Sequence, residues 1–165
     1  MPHQHPHGHP PACLEFAVIT ASDSRDVQTD ESGGLICKRL AAAGHRVAHY
    51  EIVPDDPRII TATVQNRLTD SDGVIISGGT GIAIRDLTIE AVRPLLDKEL
   101  DGFGELFRML SYNEIGAAAF LSRALAGISQ SKIVVALPGS PEACRLAMDK
   151  LLIPELGHMA QLLKS

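Results

Sequence analysis

The stretch GVIISGGTG, residues 73–81, decides the fold of this chain. Its apolar part, residues 74–76, has the length of a short strand that is buried on both faces. The part that follows, residues 77–81, combines three glycines with two hydroxyl side chains, which neither a packed strand nor a helix favours. Glycine adopts positive φ and lets a ligand approach the backbone, so such a loop can direct several N–H groups toward an anion. Because Thr88 and Glu90 indicate the start of a helix, the order strand, glycine loop and helix predicts a phosphate-binding loop.

Two common phosphate-binding motifs do not fit this loop. The Walker A motif ends in Gly-Lys-Ser/Thr, and no lysine lies between Ser77 and Asp86. The dinucleotide fingerprint needs a third glycine after Gly79 and Gly81, and Ile84 occupies that position. For the loop on its own, a tight turn in an α/β domain is the alternative interpretation. The adjacent charged residues and the polar turns at other strand ends favour a binding site.

Composition limits the class of protein and of partner. A chain of 165 residues is long enough for one domain with a hydrophobic core. Its formal charge of −5 argues against a nucleic-acid partner, which usually requires a basic face. The sequence has neither an apolar run long enough to cross a membrane nor the pattern of a signal peptide. Its three cysteines are far apart and form no C-x-x-C pair. We therefore expect a cytoplasmic protein with no nucleic-acid and no membrane partner.

The first residues differ in composition from the rest of the chain. Residues 1–12 contain four histidines at alternate positions together with prolines, which predicts a disordered tail that cannot pack. Loose binding of a transition metal by these histidines is an alternative to a solvated tail. Residues 13–165 are predicted to form a single α/β domain.

Strand patterns alternate with helical patterns along this domain. Strands are predicted at residues 14–20, 46–53, 74–76 and 133–137. Helices are predicted at residues 33–43, 57–68, 87–96, 102–110, 116–126 and 142–152, with Ser32, Asp56, Thr88 and Ser140 as N-caps. The second strand is more polar than the others, so we expect it at an edge of the sheet. The alternation predicts a three-layer α/β/α fold with a mostly parallel sheet.

Polar turns follow several predicted strands: Ser22, Asp55, residues 77–81 and Ser140. Since the carboxyl ends of parallel strands meet at one edge of a sheet, we expect these turns to lie together. The sequence therefore predicts one site that holds an anionic ligand, with two carboxylates and room for a divalent cation.

Five motifs occur in order along the chain: ISGGTG (76–81), RDLT (85–88), GFGE (102–105) with Arg108, SRA (122–124) and LPGSP (137–141). Together they resemble the MoaB/MogA family of molybdenum cofactor biosynthesis proteins. Residues 107–112 and 122–127 are more similar to the MoaB branch. The resemblance extends over residues 15–152, and five motifs at the family's spacing are much more specific than a glycine loop alone.

The resemblance implies the molybdopterin-binding, MogA-like α/β fold and a reaction. The terminal phosphate of molybdopterin would attack the α-phosphorus of ATP and yield adenylyl-molybdopterin and pyrophosphate. Mg2+ is the implied cofactor, and ATP and molybdopterin are the implied substrates. The family also implies a homotrimer, or in the MoaB branch a hexamer, and partners among other molybdenum cofactor biosynthesis proteins.

The same resemblance assigns roles to individual residues. Asp55 and Asp86 would be the catalytic residues and would hold Mg2+. The residues that would bind pterin and nucleotide are Ser22, Ser77, Gly78, Gly79, Thr80, Gly81, Ser111, Arg123, Ser140 and Pro141. For Arg123, a solvated surface charge is the alternative to an anion clamp.

Two other functions remain open from the sequence. The first is a non-catalytic oligomer that binds molybdopterin or serves as a scaffold in the same pathway. The second is a general nucleotide-binding module similar to the related domain of competence-damage proteins. Pyrophosphate release that depends on both ATP and molybdopterin would separate the enzyme from both alternatives.

Overall fold

A single sheet organises the chain over the residues that the structure, a computed structural model, describes, which are 13–165. The predicted tail at residues 1–12 lies outside them. The strands are β1 (Glu15–Ala21), β2 (Arg46–Val53), β3 (Gly73–Ser77), β4 (Lys98–Glu99), β5 (Leu125–Ser129) and β6 (Lys132–Leu137). Their order in the sheet is β2-β1-β3-β6-β5-β4.

Four neighbouring strands of this sheet are parallel. β2, β1, β3 and β6 pair in parallel, whereas β5 pairs antiparallel with β6 and β4 pairs antiparallel with β5. The predicted mostly parallel sheet and the edge position of the second strand are both confirmed. The chain passes from β1 outward to β2 and then returns to β3 on the other side of β1. The strand order therefore reverses between β1 and β3, which is where α/β sheets bind ligands.

Helices cover both faces of the sheet. They are α1 (Glu31–Ala42), α2 (Pro57–Asp70), α3 (Thr88–Val92), α4 (Asp101–Ile115), α5 (Pro141–Ala147) and α6 (Ile153–Leu162). Alternate residues of β1 face opposite layers, as the pleat requires. Phe16 and Val18 pack in one core with residues of α1, α4, α5 and α6, while Ala17 and Ile19 pack in a second core with α2 and α3. The predicted three-layer α/β/α architecture is confirmed.

The region predicted as a helix at residues 116–126 differs in the structure. A short 3-10 helix at Gly116–Leu121 is followed by strand β5. Gly127 explains part of the difference, because a side chain there would clash with the carbonyl of Lys98 and prevent the pairing of β4 with β5. Pairing with β6 buries Leu125 and Ala126, and this tertiary contact overrides the helix propensity of the alanines.

Two predicted helix caps are confirmed. The side chain of Asp56 accepts hydrogen bonds from the N–H groups of Arg58 and Ile59, and Pro57 begins α2. The Ser140 hydroxyl accepts a hydrogen bond from the N–H of Ala143 at the start of α5. In both places the cap is set by residues next to each other in the sequence, with proline at the first helical position.

Two other predicted caps are wrong. Asp30 caps α1, and the hydroxyl of Ser32, the predicted cap, instead donates to the carbonyl of Gly139 at 2.7 Å. Thr88 is the first residue of α3, while Leu87 stands at the N-cap position without a side-chain hydrogen bond. The hydroxyl of Ser32 contacts Gly139, and that of Thr88 lies beside Gly79. Local sequence rules do not describe contacts with such distant parts of the chain.

The ends and faces of two other helices also differ from the prediction. Pro94 shortens the helix predicted at residues 87–96, because α3 ends at Val92 and a 3-10 turn covers Arg93–Leu95. On α4, Phe107 is fully buried, but 48% of Leu106 is exposed. Over residues 13–165, no helix combines the length and the apolar character that a bilayer span requires.

Asp30 links the first strand, the first helix and the edge strand, and it generates a stability prediction. Its carboxylate accepts hydrogen bonds from the Thr20 hydroxyl at 2.6 Å, the Tyr50 hydroxyl at 2.7 Å and the Gly33 N–H at 3.0 Å. We expect Asp30→Ala to lower the free energy of unfolding by about 2–4 kcal/mol, because it removes a cap and leaves two hydroxyls without their acceptor. Urea unfolding measures the loss.

Asp56→Ala is the matched control, since Asp56 is also an aspartate N-cap but makes its bonds at a more exposed helix end. Its expected loss is about 1 kcal/mol. Equal losses for the two variants would contradict the role given to the network around Asp30.

Candidate functional site

The carboxyl ends of β1, β3 and β6 meet around a cleft of about 410 Å³, called the rim cleft below. Its lining residues are Thr20, Ala21, Ser22, Arg25, Asp30, Gly78, Gly139, Ser140 and Pro141. The cleft lies where the strand order reverses, between β1 and β3. A larger cavity of about 540 Å³ between α2 and α3 is lined by none of the predicted site residues. The rim cleft and the glycine loop, which begins at Gly78 on its edge, therefore form the candidate site, although residues 79–81, Asp55 and Asp86 do not line the cleft itself.

The glycine loop, residues 78–81, begins in close contact with its neighbours. Gly78 has φ +92°, and a side chain at this position would collide with the carbonyl of Ala21 at the end of β1. On the other side, a Cβ at Gly139 would lie 3.3 Å from the Cα of Gly78. The turns after β1, β3 and β6 thus approach each other backbone to backbone. This arrangement confirms that the predicted polar turns share one edge of the sheet.

Asp55 reaches the loop from the end of β2. A Cβ at Gly79, which has φ +63°, would lie 3.0 Å from Asp55 Oδ1 and would collide with the hydroxyl of Thr88. Within residues 13–165, these two buried oxygens have no hydrogen-bond partner. Because buried polar atoms are nearly always paired in folded proteins, the two oxygens are candidates for contact with a ligand group or an ion.

The electrostatic surroundings of Asp55 support this interpretation. Burial raises the pKa of the Asp55 carboxyl, and the nearby carboxylates of Asp23 and Asp86 raise it further, while Arg85 acts in the opposite direction. The Asp55 N–H also donates to Asp23 Oδ1 at 3.0 Å, which holds these two residues together. Several carboxylates in a partly desolvated place repel one another, so a bound cation would relieve the repulsion.

Asp86 lies at the other end of the glycine loop. Its Oδ2 accepts a hydrogen bond from the N–H of Ala83 at 2.9 Å, and a Cβ at Gly81 would lie 2.6 Å from the same oxygen. Asp55 beside Gly79 and Asp86 beside Gly81 therefore place one carboxylate near each end of the loop. The absence of side chains at both glycines makes the approach of the carboxylates possible.

This donor set fits a magnesium ion that is shared with a ligand. Across residues 13–165, no group of three His, Cys, Asp or Glu side chains could by itself hold a metal ion. Mg2+ does not require such a cage, because it is usually bound by one or two carboxylates, substrate phosphates and water. Asp55 and Asp86, with the unpartnered oxygen of Asp55, fit that mode of binding.

Arg123 contacts the backbone carbonyls of the glycine loop. Its Nε donates to the carbonyls of Thr80 at 2.9 Å and Gly81 at 3.1 Å, and a terminal nitrogen donates to the carbonyl of Asp86 at 3.1 Å. Two further bonds join the guanidinium to the carboxylate of Glu90, whose pKa is lowered mainly by this hydrogen bonding. The structure thus attaches Arg123 to the loop itself, and its predicted direct contact with a bound cofactor stays a prediction.

The predicted serine ligands fall in different places. Ser22 and Ser140 line the rim cleft, together with Pro141. Ser77 is fully buried and shares a hydrogen bond with the Thr20 hydroxyl. Ser111 is buried on α4 and donates to a carbonyl one turn earlier, so the structure does not bring it to the cleft. The ligand-binding roles of all these serines stay predictions.

Two residues of the site were missed by the sequence interpretation. Arg25 lines the rim cleft and is exposed, and its position in the polar turn after β1 was a signal that could have identified it. Thr88 fitted the pattern of an N-cap, but its buried hydroxyl faces Gly79 instead. No local pattern reveals this role, because it depends on how α3 packs beside the loop.

Comparisons with known proteins identify the family and the fold. The sequence profile of the family described as "Probable molybdopterin binding domain" matches residues 17–158. Molybdenum cofactor biosynthesis protein B of Bacillus subtilis is 51% identical over 154 residues, which cover 92% of this chain and 91% of that protein. A crystal structure of molybdenum cofactor biosynthesis protein B has a TM-score of 0.92 at 50% identity and covers 94% of this chain and 99% of its own. The tungsten cofactor synthesizing protein MoaB from Pyrococcus furiosus has a TM-score of 0.85 at 38% identity, with 94% and 100% covered.

Gly79 generates a prediction about binding. We expect Gly79→Ala to weaken the binding of ATP at least about tenfold, because the new methyl group would collide with the Thr88 hydroxyl and displace the loop beside Asp55. Isothermal titration calorimetry with Mg-ATP measures the affinity, and thermal unfolding checks that the variant is folded.

Gly44→Ala is the matched control. Gly44 also has a positive φ, +84°, but nothing lies within 4 Å of the position of its Cβ. This variant carries about 1–2 kcal/mol of backbone strain without any contact with the site, so ATP affinity should stay at the parental value. Parental affinity for the Gly79 variant, or an equal loss in both, would contradict the interpretation of the loop.

Proposed function

Because the chain belongs to the molybdopterin-binding domain family of MoaB-type molybdenum cofactor biosynthesis proteins, we propose that it binds molybdopterin and adenylylates it with ATP. The family predicted from the sequence motifs is confirmed by these matches. In the proposed reaction, a terminal phosphate oxygen of molybdopterin attacks the α-phosphorus of ATP. The bond from that phosphorus to the bridging oxygen breaks, and pyrophosphate leaves as adenylyl-molybdopterin forms.

One observation carries this proposal. A glycine loop with a carboxylate near each end, one of them with a buried unpartnered oxygen, suits phosphate groups that are bridged to the protein by a cation. A loop for anions alone would not require carboxylates beside it, because they repel phosphate. The pairing of both kinds of group supports nucleotidyl transfer, in which charge neutralisation and positioning account for most of the catalysis.

Different residues of the chain would bind the phosphate groups and the cation. The N–H groups of residues 79–81 would bind phosphate oxygens, as backbone N–H groups do in other anion-binding loops. Asp55 and Asp86 would hold Mg2+, which when bound neutralises phosphate charge and orients the reacting groups. Contacts of Gly78 with the ends of β1 and β6 hold the start of the loop in place. Backbone donors that are already positioned lose less entropy in the reaction.

The rim cleft is suited to the organic part of a ligand. Its volume of about 410 Å³ lies in the range of roughly 300–1,000 Å³ that is usual for small-molecule sites. Ser22, Ser140 and exposed backbone groups offer hydrogen-bond partners for a heterocycle, and Pro141 offers an apolar surface. Arg25 adds a cation at the same edge, which supports a phosphate-bearing ligand.

The surface of α4 supports the proposed oligomer. Large apolar side chains are exposed on α4 and the 3-10 helix after it, at Leu106, Met109, Tyr112, Ile115, Phe120 and Leu121. Contiguous exposed apolar residues usually mark an interaction surface. A homotrimer, or a hexamer, would cover this face, and sedimentation velocity measures the number of subunits.

The decisive experiment is a pyrophosphate-release assay with purified protein, molybdopterin and Mg-ATP. Release that requires both substrates supports the enzyme. Tight molybdopterin binding without release would replace it with a non-catalytic binding protein, and no binding of molybdopterin would overturn both.

Asp86 provides the sharpest prediction for this activity. We expect Asp86→Asn to lower the rate of adenylylation by about 10²-fold or more, because the amide removes the charge that would hold the cation. The amide oxygen can still accept from Ala83, so the fold, the oligomer and molybdopterin binding should persist.

Asp101→Asn serves as the control, since Asp101 is exposed in the first turn of α4. Its rate should equal that of the parent. Parental turnover by the Asp86 variant would show that the assigned carboxylate does not take part in the reaction.

A further inference from the structure

The ion pair of Arg123 and Glu90 joins three separate parts of the fold. Arg123 lies just before β5, Glu90 lies in α3, and the three carbonyls that the guanidinium binds belong to Thr80, Gly81 and Asp86. Both terminal nitrogens also bind Glu90, at 2.5 and 3.2 Å. A planar guanidinium can make such a set of bonds because its donors lie in a fixed fork.

The bonds to carbonyls determine where neighbouring N–H groups point. In a trans peptide the carbonyl and the N–H of the next residue point in opposite directions. The carbonyls of Thr80 and Gly81 point toward Arg123, which binds them. The N–H groups of Gly81 and Ile82, which belong to the same two peptide units, therefore point away from Arg123. The bond to the carbonyl of Asp86 likewise fixes the backbone that carries the carboxylate of that residue.

The energy of the ion pair alone does not account for this arrangement. About 32% of the Arg123 side chain and 47% of the Glu90 side chain are exposed, so solvent screens their attraction. The three hydrogen bonds from Arg123 to backbone carbonyls act through geometry instead. They restrict a loop whose glycines could otherwise adopt many conformations.

We propose that Arg123 and Glu90 form a clip that positions the glycine loop and Asp86, and that Arg123 acts through the loop rather than by binding the anion itself. Arg123 is thus a positioning residue, and Glu90 orients its guanidinium. The functional part of this inference rests on the proposed function of the site, whereas the structural part does not.

Substitution of Glu90 separates the two roles of Arg123 by the sign of the effect. If Arg123 positions the loop, Glu90→Gln releases the guanidinium and weakens binding of Mg-ATP. If Arg123 binds the phosphate directly, the same change removes a competing carboxylate and strengthens binding. Arg123→Lys weakens binding in both cases, because one ammonium group cannot reach three carbonyls and a carboxylate together.

The chain offers a matched control pair. Arg39 binds both carboxylate oxygens of Asp149, at 2.6 and 3.2 Å, and joins α1 to the helical turn Met148–Leu152 that follows α5. Arg39→Lys and Asp149→Asn therefore change a comparable, partly exposed ion pair that makes none of the hydrogen bonds to the loop.

The experiment measures three properties of the parent, these four variants and the double variant of Arg123 and Glu90. Hydrogen exchange of residues 80–87 is followed without ligand, Mg-ATP affinity by calorimetry, and kcat and KM in the pyrophosphate assay. We expect faster exchange in both clip variants, affinity about tenfold weaker for Arg123→Lys and reduced for Glu90→Gln, and a lower kcat in both. The Arg39 and Asp149 variants should match the parent. The double variant of Arg123 and Glu90 should be no weaker than Arg123→Lys, because the two residues act as one unit.

Other results would overturn the clip. Tighter Mg-ATP binding by Glu90→Gln would assign Arg123 to the anion, and parental exchange and affinity in both clip variants would leave Arg123 as a solvated charge. If the parent binds neither ATP nor molybdopterin, the proposed function fails, but hydrogen exchange still decides whether the clip holds the loop. If the parent is active and all variants match it, the function stands and the clip fails.

Discussion

The site depends on the close approach of three strand ends at Gly78. A side chain there would collide with the carbonyl of Ala21, and a side chain at Gly139 would press against Gly78 itself. The hydrogen bond from the Gly78 N–H to the carbonyl of Leu137, 3.0 Å long, closes this contact. Because the sheet order reverses beside it, the backbone of the loop lies at the crevice where α/β sheets bind ligands. Only a residue without a side chain permits this packing, so the position of the site follows from the fold.

Charge explains why the loop requires more than N–H groups. The chain has a formal charge of −5, and Asp23, Asp55 and Asp86 interact around the loop. Carboxylates repel a free phosphate, so the proposed binding of a phosphate group here calls for a cation that accompanies the ligand. The unpartnered oxygen of Asp55 lowers the stability of the ligand-free protein for the same reason, because a buried carboxylate without a partner disfavours its charged form. Strain and unsatisfied groups of this kind are typical of functional sites, where the ligand supplies what the fold leaves out.

Sequence reasoning succeeded where the signal is local. Apolar runs predicted β1, β2, β3 and β6, and the pairs Asp56–Pro57 and Ser140–Pro141 predicted two helix starts, because each pattern is contained in a few adjacent residues. The meeting of the polar turns was predicted for a related reason, since the carboxyl ends of parallel strands lie at one edge of the sheet. Strand β5 was missed because its pairing with β6 and the close approach of β4 at Gly127 involve residues far apart in the chain. The cap by Asp30 and the buried hydroxyl of Thr88 were missed for the same reason.

The glycine loop also shows why a site of this kind needs hydrogen bonds from the rest of the fold to its backbone carbonyls. Glycines permit the positive φ angles of residues 78 and 79, but they do not select them, because glycine also adopts many other conformations. An unsupported loop would lose that freedom on binding, and the loss would reduce affinity. The strand ends restrain the beginning of the loop at Gly78, but they do not reach the carbonyls of Thr80, Gly81 and Asp86. Those carbonyls are restrained by Arg123, a residue more than 35 positions later in the chain. The fold thus restrains the loop before the ligand arrives, while the glycines permit both its positive φ angles and its close approach to neighbouring groups.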